Sequence, residues 1–444
     1  MKSSSVIGNG SWDAGQQFLT TLANAAVTLL LVTVVSVGDY GMYSYAIALS
    51  SLGMAVMSAG LSGLAVKKLV EDREANAAII ASLLLAREAF ALAGYALVLL
   101  ISLSSQDFPT ILATALAAAS LFGRGLEAPD MWYLSQLRSR RTAIVRGVAT
   151  LGFLAVRLIV IAYMPNIWVF LALFAVEPMF VSILILIRYC REVDSPRLAF
   201  DGFKRARLLL RESLPLMLSG LANQVNLKAD IVLLQAMQGS VSVAVYSLAA
   251  RLSELTHFFP VIFMNSLLPG VLTMRGLHGP NSRRYQNRLY RTYFRAFWVG
   301  VLISSCVAIG GYVAIPMLFG ARYLDSVVIL SIHVCATPFV FMAAVYSKWI
   351  IAEGLLWVSL LRHGAGAVLN IVLCLALIPL YGGVGAALAT VASYTAASYL
   401  SCFLGRSTRG QGILMTRAIF APLLYVWANL VHLLGMKKRQ QGGQ

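Results

Sequence analysis

Apolar runs of roughly twenty residues recur along the chain, each long enough to cross a hydrocarbon core of about 30 Å as a helix. Short polar or glycine-containing breaks separate them. The pattern predicts spans near 14–35, 42–66, 77–102, 110–133, 143–163 and 168–188, then near 213–237, 243–272, 296–319, 326–350, 356–379 and 384–405. The breaks carry turn chemistry at Gly38–Gly41, Asp107–Pro109, Pro165–Asn166, Gly239, Gly320 and Gly382–Gly383. The predicted architecture is an all-α polytopic membrane protein of about 12 transmembrane helices. It divides into a six-helix bundle at 1–190, a basic linker at 191–212, a second six-helix bundle at 213–405 and a tail at 406–444.

Composition supports this reading. Apolar residues make up 59% of the 444 residues and charged ones 12%, against about 25% charged in a soluble domain. Soluble enzymes, nucleic-acid binders and disulfide-stapled modules are thereby excluded. The formal charge of +17 has a membrane explanation, because Lys and Arg fall in alternate loops. One set holds Lys67, Lys68, Arg73, Arg138, Arg140, Arg141, the run from Arg188 to Arg211, Arg275 to Arg295, Lys348, and Arg406 to Arg417. The other set holds only Arg322. The positive-inside bias then places the amino terminus in the cytoplasm of a multi-pass bacterial inner-membrane protein. Ser3–Gly10 is polar, and no short apolar region with a cleavage site precedes the first span. Ala418–Leu434 fits either a thirteenth span or an interfacial helix; Lys437, Lys438 and Arg439 favour the latter. Cys190, Cys306, Cys335, Cys374 and Cys402 stand singly, matching neither a metal cluster nor a redox pair.

An internal repeat links the two halves. Tyr43, Ser44, Ala46, Leu49, Ser50 and Leu52 recur as Tyr246, Ser247, Ala249, Leu252, Ser253 and Leu255. Both copies run inward from the outer face, so the halves are related by an axis along the membrane normal, a frame for alternating access. Ala48, Ser51 and Met54 of the first copy become Arg251, Glu254 and His257 in the second.

Ionisable residues fall inside the spans at Arg87, Glu88, Arg157, Glu177, Lys228, Asp230, Arg251 and Glu254, with Arg124, Glu127 and Asp130 nearer a cytoplasmic end. Each central charge costs about 2.5–3.5 kcal/mol if left to lipid, so these groups must pair or line a wet cavity. Arginine points to an anionic ligand, since its fork matches phosphate and keeps its charge. Ser247, Arg251, Glu254 and Asn265 form one stripe at helical spacing, with His257 at its edge. On the preceding helix Asn223, Asn226 and Asp230 share a face, and Lys228 points away from it, near Gln224. The pairs Arg251–Glu254 and Arg124–Glu127 also fit simple mutual neutralisation. Arg157 has no charge one turn away and therefore takes a ligand or an interhelical partner. Glu177, beside Pro178, fits a kink or a proton site. His333 and His363 read as packing residues. The chain lacks a GxxxxGK[ST] loop, HExxH and GxSxG, which argues against an ATPase and a hydrolase and calls for no cofactor.

Three stretches carry a family resemblance. Gly41-Met-Tyr-Ser-Tyr-Ala with Ser58-Ala-Gly-Leu-Ser-Gly-Leu resembles the second helix of polysaccharide transporters. Lys228-Ala-Asp-Ile-Val-Leu-Leu, the 245–254 segment and Leu268-Pro resemble their seventh and eighth helices. Asn370 through Thr390 is similar to the eleventh and twelfth. The family is that of Wzx-type O-antigen and exopolysaccharide flippases, within the multidrug/oligosaccharidyl-lipid/polysaccharide exporter superfamily and of a MATE-like fold. The resemblance implies alternating-access transfer of undecaprenyl-diphosphate-linked oligosaccharide between leaflets through a cationic lumen. It also implies polysaccharide polymerase and chain-length proteins as partners beside the bilayer. Asp230 and Arg251 are carried over from the motifs. Arg87, Arg157 and Lys228 come from the residue-level reading, as do Glu177, Glu254, Asn223 and Asn226 as lumen or coupling groups. Cys374 departs from the eleventh-helix pattern, where a second Asn is common. Alternatives are a MATE-like multidrug exporter, whose cavity should hold carboxylates, and a membrane glycan polymerase or ligase, which needs longer outer loops than this chain has.

Overall fold

The computed structural model describes residues 3–58, 60–72, 76–105, 107–193, 202–260, 270, 273–277, 279 and 282–421. Helices dominate, with no strand among the described residues. The first half contains α1 (Ser3–Val34), α2 (Val37–Ser58), α3 (Leu61–Glu71), α4 (Asn76–Ser102), α5 (Phe108–Ala118), α6 (Ser120–Gly125), α7 (Ala128–Ser135), α8 (Ser139–Tyr163) and α9 (Ile167–Glu192). The second contains α10 (Gly202–Glu254), α11 (Arg283–Phe319), α12 (Asp325–His333), α13 (Thr337–Ala352) and α14 (Leu356–Ser398). A further helical segment covers 409–421. Asn265, residues 194–201 of the linker and the tail beyond 421 lie outside the described residues.

Helix starts follow the predicted turn chemistry. Asp107 caps α5 by accepting from the Thr110 amide at 3.3 Å, and Asn166 caps α9 by accepting from Trp168 at 2.9 Å. Each satisfies an otherwise orphaned amide. α10 and α14 are too long for single spans, and each turns at a glycine. Gly239 has φ 79° and Gly382 φ 58°, conformations that favour glycine. Each helix is therefore two arms joined at a predicted break.

Several boundaries differ from the hydropathy reading. α1 begins at Ser3, well before residue 14. The span expected over 42–66 ends at Ser58, and α3 starts beyond Gly60, whose φ is 65°. The span expected over 110–133 is broken into α5, α6 and α7. Nine helical stretches among the described residues are long and apolar enough to cross a membrane, two of them holding the glycine turns. α2 is not one of the nine. Asp39, Tyr40, Tyr43, Tyr45 and its serines dilute its hydropathy. That is tolerable because 14 of its 22 residues are buried, so protein rather than lipid surrounds most of it.

α2 lies against α10, placing the two copies of the repeat in one core. Tyr43, Ala46, Leu49, Tyr246 and Ala249 share a buried cluster drawn from both halves. Two smaller clusters sit away from this seam, one around Leu83, Tyr133 and Tyr189, the other around Tyr293, Phe341 and Met415. Small side chains let the central helices approach closely, as packing within a bilayer requires. The tightest approach is at Gly41, where a Cβ would stand 1.7 Å from the Ser240 carbonyl oxygen beside the Gly239 turn. Nearby, Arg322 donates to the last carbonyls of α1, Val32 at 3.2 Å and Thr33 at 3.1 Å, the favourable place for a cation on a helix dipole. Tyr323 meets Tyr40 edge-on at 6.5 Å. The halves are thus closed on each other at this end.

The Gly41 contact predicts that Gly41→Ala destabilises the detergent-solubilised protein by about 1–3 kcal/mol, the usual cost of overpacking. Gly38→Ala, with nothing within 4 Å of its Cβ, should leave the melting temperature unchanged. Equal melting of the two variants would refute the close approach.

Candidate functional site

A cavity of about 370 Å³ lies between the halves, walled by α1, α2, Ser120, Arg124, Arg157 and Phe174 on one side and Arg251 and Glu254 on the other. Asn24, Thr28, Ser50 and Ser51 contribute polar surface. Arg157, from the second half of α8, is 6% exposed. Its Nη2 lies 2.7 Å from Glu177 Oε2, and its Nη1 donates to Asn24 at 3.1 Å. The interhelical partner expected for Arg157 is therefore Glu177 on α9. Glu177 in turn is a counter-ion, in a helix that runs on through Pro178.

On the opposite wall, Glu254 is shared by two cations. Lys228 Nζ lies 2.6 Å from its Oε1 and Arg251 Nη1 lies 3.6 Å from its Oε2. The i,i+3 pairing of Arg251 and Glu254 exists, yet it does not neutralise the wall, because Lys228 takes the shorter contact. Lys228, Ser247, Arg251 and Glu254 line a side chamber of about 110 Å³. Ser247, Arg251 and Glu254 of the predicted stripe therefore face a cavity. Arg124 also faces the main cavity and has no carboxylate at ion-pair distance among the described residues. Among the described residues, Arg124, Arg157, Arg251 and Lys228 thus meet only Glu177 and Glu254, a surplus of two positive charges. In a low-dielectric surround such a surplus favours a dianionic or diphosphate guest.

The cavities continue toward the amino-terminal end of α1. Arg124 also lines a space of about 450 Å³ with Gln16, Gln17 and Arg146, and another of about 280 Å³ with Arg87, Glu127 and Asp130. Arg124 does not pair with Glu127 as the i,i+3 spacing suggested. Glu127 lies 3.8 Å from Arg146 and 4.0 Å from Arg87, while Arg146 is 3.0 Å from Asp130. Arg87 is 4% exposed and donates to the Arg124 carbonyl at 2.8 Å. It holds the Arg124 backbone and borders the side space, not the main cavity.

Asp230 is also not a lumen residue. It is 2% exposed and accepts from the Tyr246 hydroxyl, from Thr390 Oγ1 at 3.2 Å and from the Ile231 amide at 2.8 Å. The fold thereby splits Lys228 from Asp230, as their opposed directions on one helix require. Asn223, Asn226 and His257 line a separate cavity within the second half. His333 packs its ring against Tyr246 at 6.0 Å, as expected.

Sequence reading missed Arg124 as a lumen cation because its position near a helix end fits snorkelling equally well. It missed Arg362 altogether, although an arginine inside the apolar run 356–379 is itself a signal. Among the described residues, no group of three or more His, Cys, Asp or Glu is placed to hold a metal ion.

Comparisons with known proteins agree with this architecture. A family model described as polysaccharide biosynthesis protein matches residues 6–273. No curated protein sequence is matched. Among solved structures, a lipid II flippase, MurJ, in an inward closed conformation is similar with a TM-score of 0.71 and 15% identity, covering 93% of this chain and 91% of that one. An inward-facing multidrug resistance MATE family transporter of the MOP superfamily gives 0.61 and 14%, covering 90% and 96%. A MOP superfamily transporter from Pyrococcus furiosus, described by the reversed polarity of its binding pocket, gives 0.58 and 13%, covering 93% and 96%. At these identities the likeness is one of fold.

The buried pair at the cavity wall yields a stability test. Glu177→Ala should lower stability by about 3–5 kcal/mol by leaving Arg157 uncompensated. The double variant Glu177→Ala with Arg157→Leu should recover much of that loss in thermal unfolding. An additive double variant would refute the pairing.

Proposed function

The chain belongs to the polysaccharide biosynthesis protein family, and from that premise we propose that it is a flippase for undecaprenyl-diphosphate-linked oligosaccharide. It carries the lipid-linked glycan from the cytoplasmic to the periplasmic leaflet of the bacterial inner membrane. The observation that carries this reading is the cavity between the halves, where Arg124, Arg157 and Arg251, with Lys228 of the adjoining side chamber, meet two carboxylates, Glu177 and Glu254, among the described residues. Arg251, Arg157 and Arg124 take the diphosphate, each as a fork that stays charged. The sugars occupy the polar wall from Asn24 and Thr28 to Ser51, and the prenyl tail stays in lipid. Likeness in fold to a lipid II flippase supports the same assignment.

Alternating access follows from where the halves touch. With the amino terminus in the cytoplasm, the end closed by Gly41, Ser240 and Arg322 is the periplasmic one. The polar spaces around Arg124 and Gln16 then lead toward the cytoplasm, so diphosphate enters from that side. Filling the cavity neutralises its surplus charge and lowers the repulsion between the walls. The halves close inward and part at the outer end, where Arg322 leaves the α1 carbonyls. Polymerase and chain-length proteins act on the glycan after release. A cation-coupled step is assigned to Asp230, whose hydrogen bonds tie both arms of α10 to α14. A multidrug exporter for cationic drugs is disfavoured, because both lumen carboxylates are already paired with cations.

Arg251→Ala, and Arg157→Ala combined with Glu177→Ala so that no buried charge is left unpaired, should each reduce surface glycan at least about tenfold with normal protein level in the membrane, since one charge-assisted bidentate contact is worth that much or more. Arg251→Lys should retain part of the activity. Normal surface glycan in both alanine variants would sink the diphosphate role. For coupling, Asp230→Asn should flatten the dependence of transport on external pH; an unchanged pH profile would remove Asp230 as the coupling group.

A further inference from the structure

A separate cavity of about 480 Å³ lies within the second half, bordered by Asn223, Asn226, His257, Ser347, Arg362 and Tyr394. Its volume falls in the range of small-molecule pockets, about 300–1,000 Å³. Arg362, on α14, is 5% exposed. Its Nη2 donates to Ser347 Oγ at 2.5 Å and meets His363 Nε2 at 3.1 Å, and its guanidinium stacks 5.3 Å from the Tyr346 ring. Its Nε has no partner, and neither do Asn226 Oδ1 and His257 Nε2 on the same lining.

Arg362 differs from the other buried arginines in its company. Arg157 and Arg87 each have a carboxylate within 4.0 Å, as does the more exposed Arg251. Arg362 has none at that distance among the described residues. A hydroxyl, an imidazole and a ring face orient a guanidinium, yet none supplies the opposite charge that burial requires. The cavity therefore offers one full positive charge, with amides and hydroxyls around it. A single fork suits a monoanion such as a carboxylate, where the three arginines of the main cavity suit a diphosphate. The amide and hydroxyl lining suits the hydroxyls of a sugar ring. Position fits as well. His257 lies three residues beyond Glu254, about one helical turn. His257 lines this cavity and Glu254 the main one, so the two cavities border consecutive turns of one helical segment.

We propose that the Arg362 cavity binds a sugar bearing a carboxylate, and hence that the transported glycan is acidic. Arg362 receives the carboxylate, and Asn223, Asn226 and Tyr394 receive ring hydroxyls. This names a substrate class within the flippase reading and rests on it.

The test uses the purified full-length protein in nanodiscs, titrated with glucuronate, glucose and inorganic phosphate. Glucuronate should bind saturably and at least about tenfold more tightly than glucose. Arg362→Gln should abolish that preference, Arg362→Lys should keep part of it, and Arg251→Ala should leave it intact. Asn223→Leu narrows the cavity without touching the guanidinium and should weaken glucuronate similarly, which covers the case of a poorly folded Arg362 variant. Equal binding of glucuronate and glucose, no saturable glucuronate binding, or indifference to both Arg362→Gln and Asn223→Leu overturns the proposal. Arg362-dependent binding of phosphate but not of glucuronate makes it a phosphate site and overturns the sugar assignment. The flippase reading fails on a different result, unchanged leaflet distribution of lipid-linked glycan, whichever way this titration falls.

Discussion

A charge in the middle of a bilayer span must be paired or wetted, and much of this molecule can be read as the consequence. Glu177 on α9 neutralises Arg157 on α8, and Glu254 sits between Lys228 and Arg251. Helices that present these groups have to face one another, so the charges help set the packing as well as the chemistry. Between the halves, what pairing leaves over is positive, and it collects around a cavity to which both contribute walls. The cavity is therefore electrostatically incomplete without an anionic guest. Binding a diphosphate there satisfies the same rule that placed the carboxylates, and a guest whose arrival removes repulsion between two walls is suited to drive their closure.

The seam between the halves obeys a different constraint. Lipid tails are as apolar as leucine, so helices associate by close packing rather than by hydrophobic burial. α2 meets that need with glycine, alanine and serine, most sharply where Gly41 meets the Ser240 carbonyl. It has lost the hydropathy of an ordinary span in doing so. The repeat in the sequence is the trace of this seam, since Tyr43 and Tyr246 belong to one buried cluster.

How much of this was legible in the sequence depends on whether a feature is local. The helical membrane fold, the turns at Gly239 and Gly382 and the caps at Asp107 and Asn166 all follow from neighbouring residues. The stripe of Ser247, Arg251 and Glu254 was visible for the same reason. Partners across helices were not. Glu127 satisfies its i,i+3 spacing with Arg124 yet lies with Arg146 and Arg87, and Lys228 reaches Glu254 across 26 residues. Asp230 looked like a lumen group because an acid in a span usually is. Tyr246 and Thr390 bury it instead, and only the fold brings them there. Arg362 was overlooked inside a strongly apolar run, though it is the buried arginine with the least compensation.

The role proposed for the cationic cavity is to move lipid-linked glycan across the membrane. It is tested most directly by the fraction of that glycan accessible to a membrane-impermeant lectin or periodate in spheroplasts, with the protein present and after its depletion. Depletion should leave the total high and bring the accessible fraction close to background. An accessible fraction that stays unchanged while the lipid-linked glycan remains abundant would contradict it.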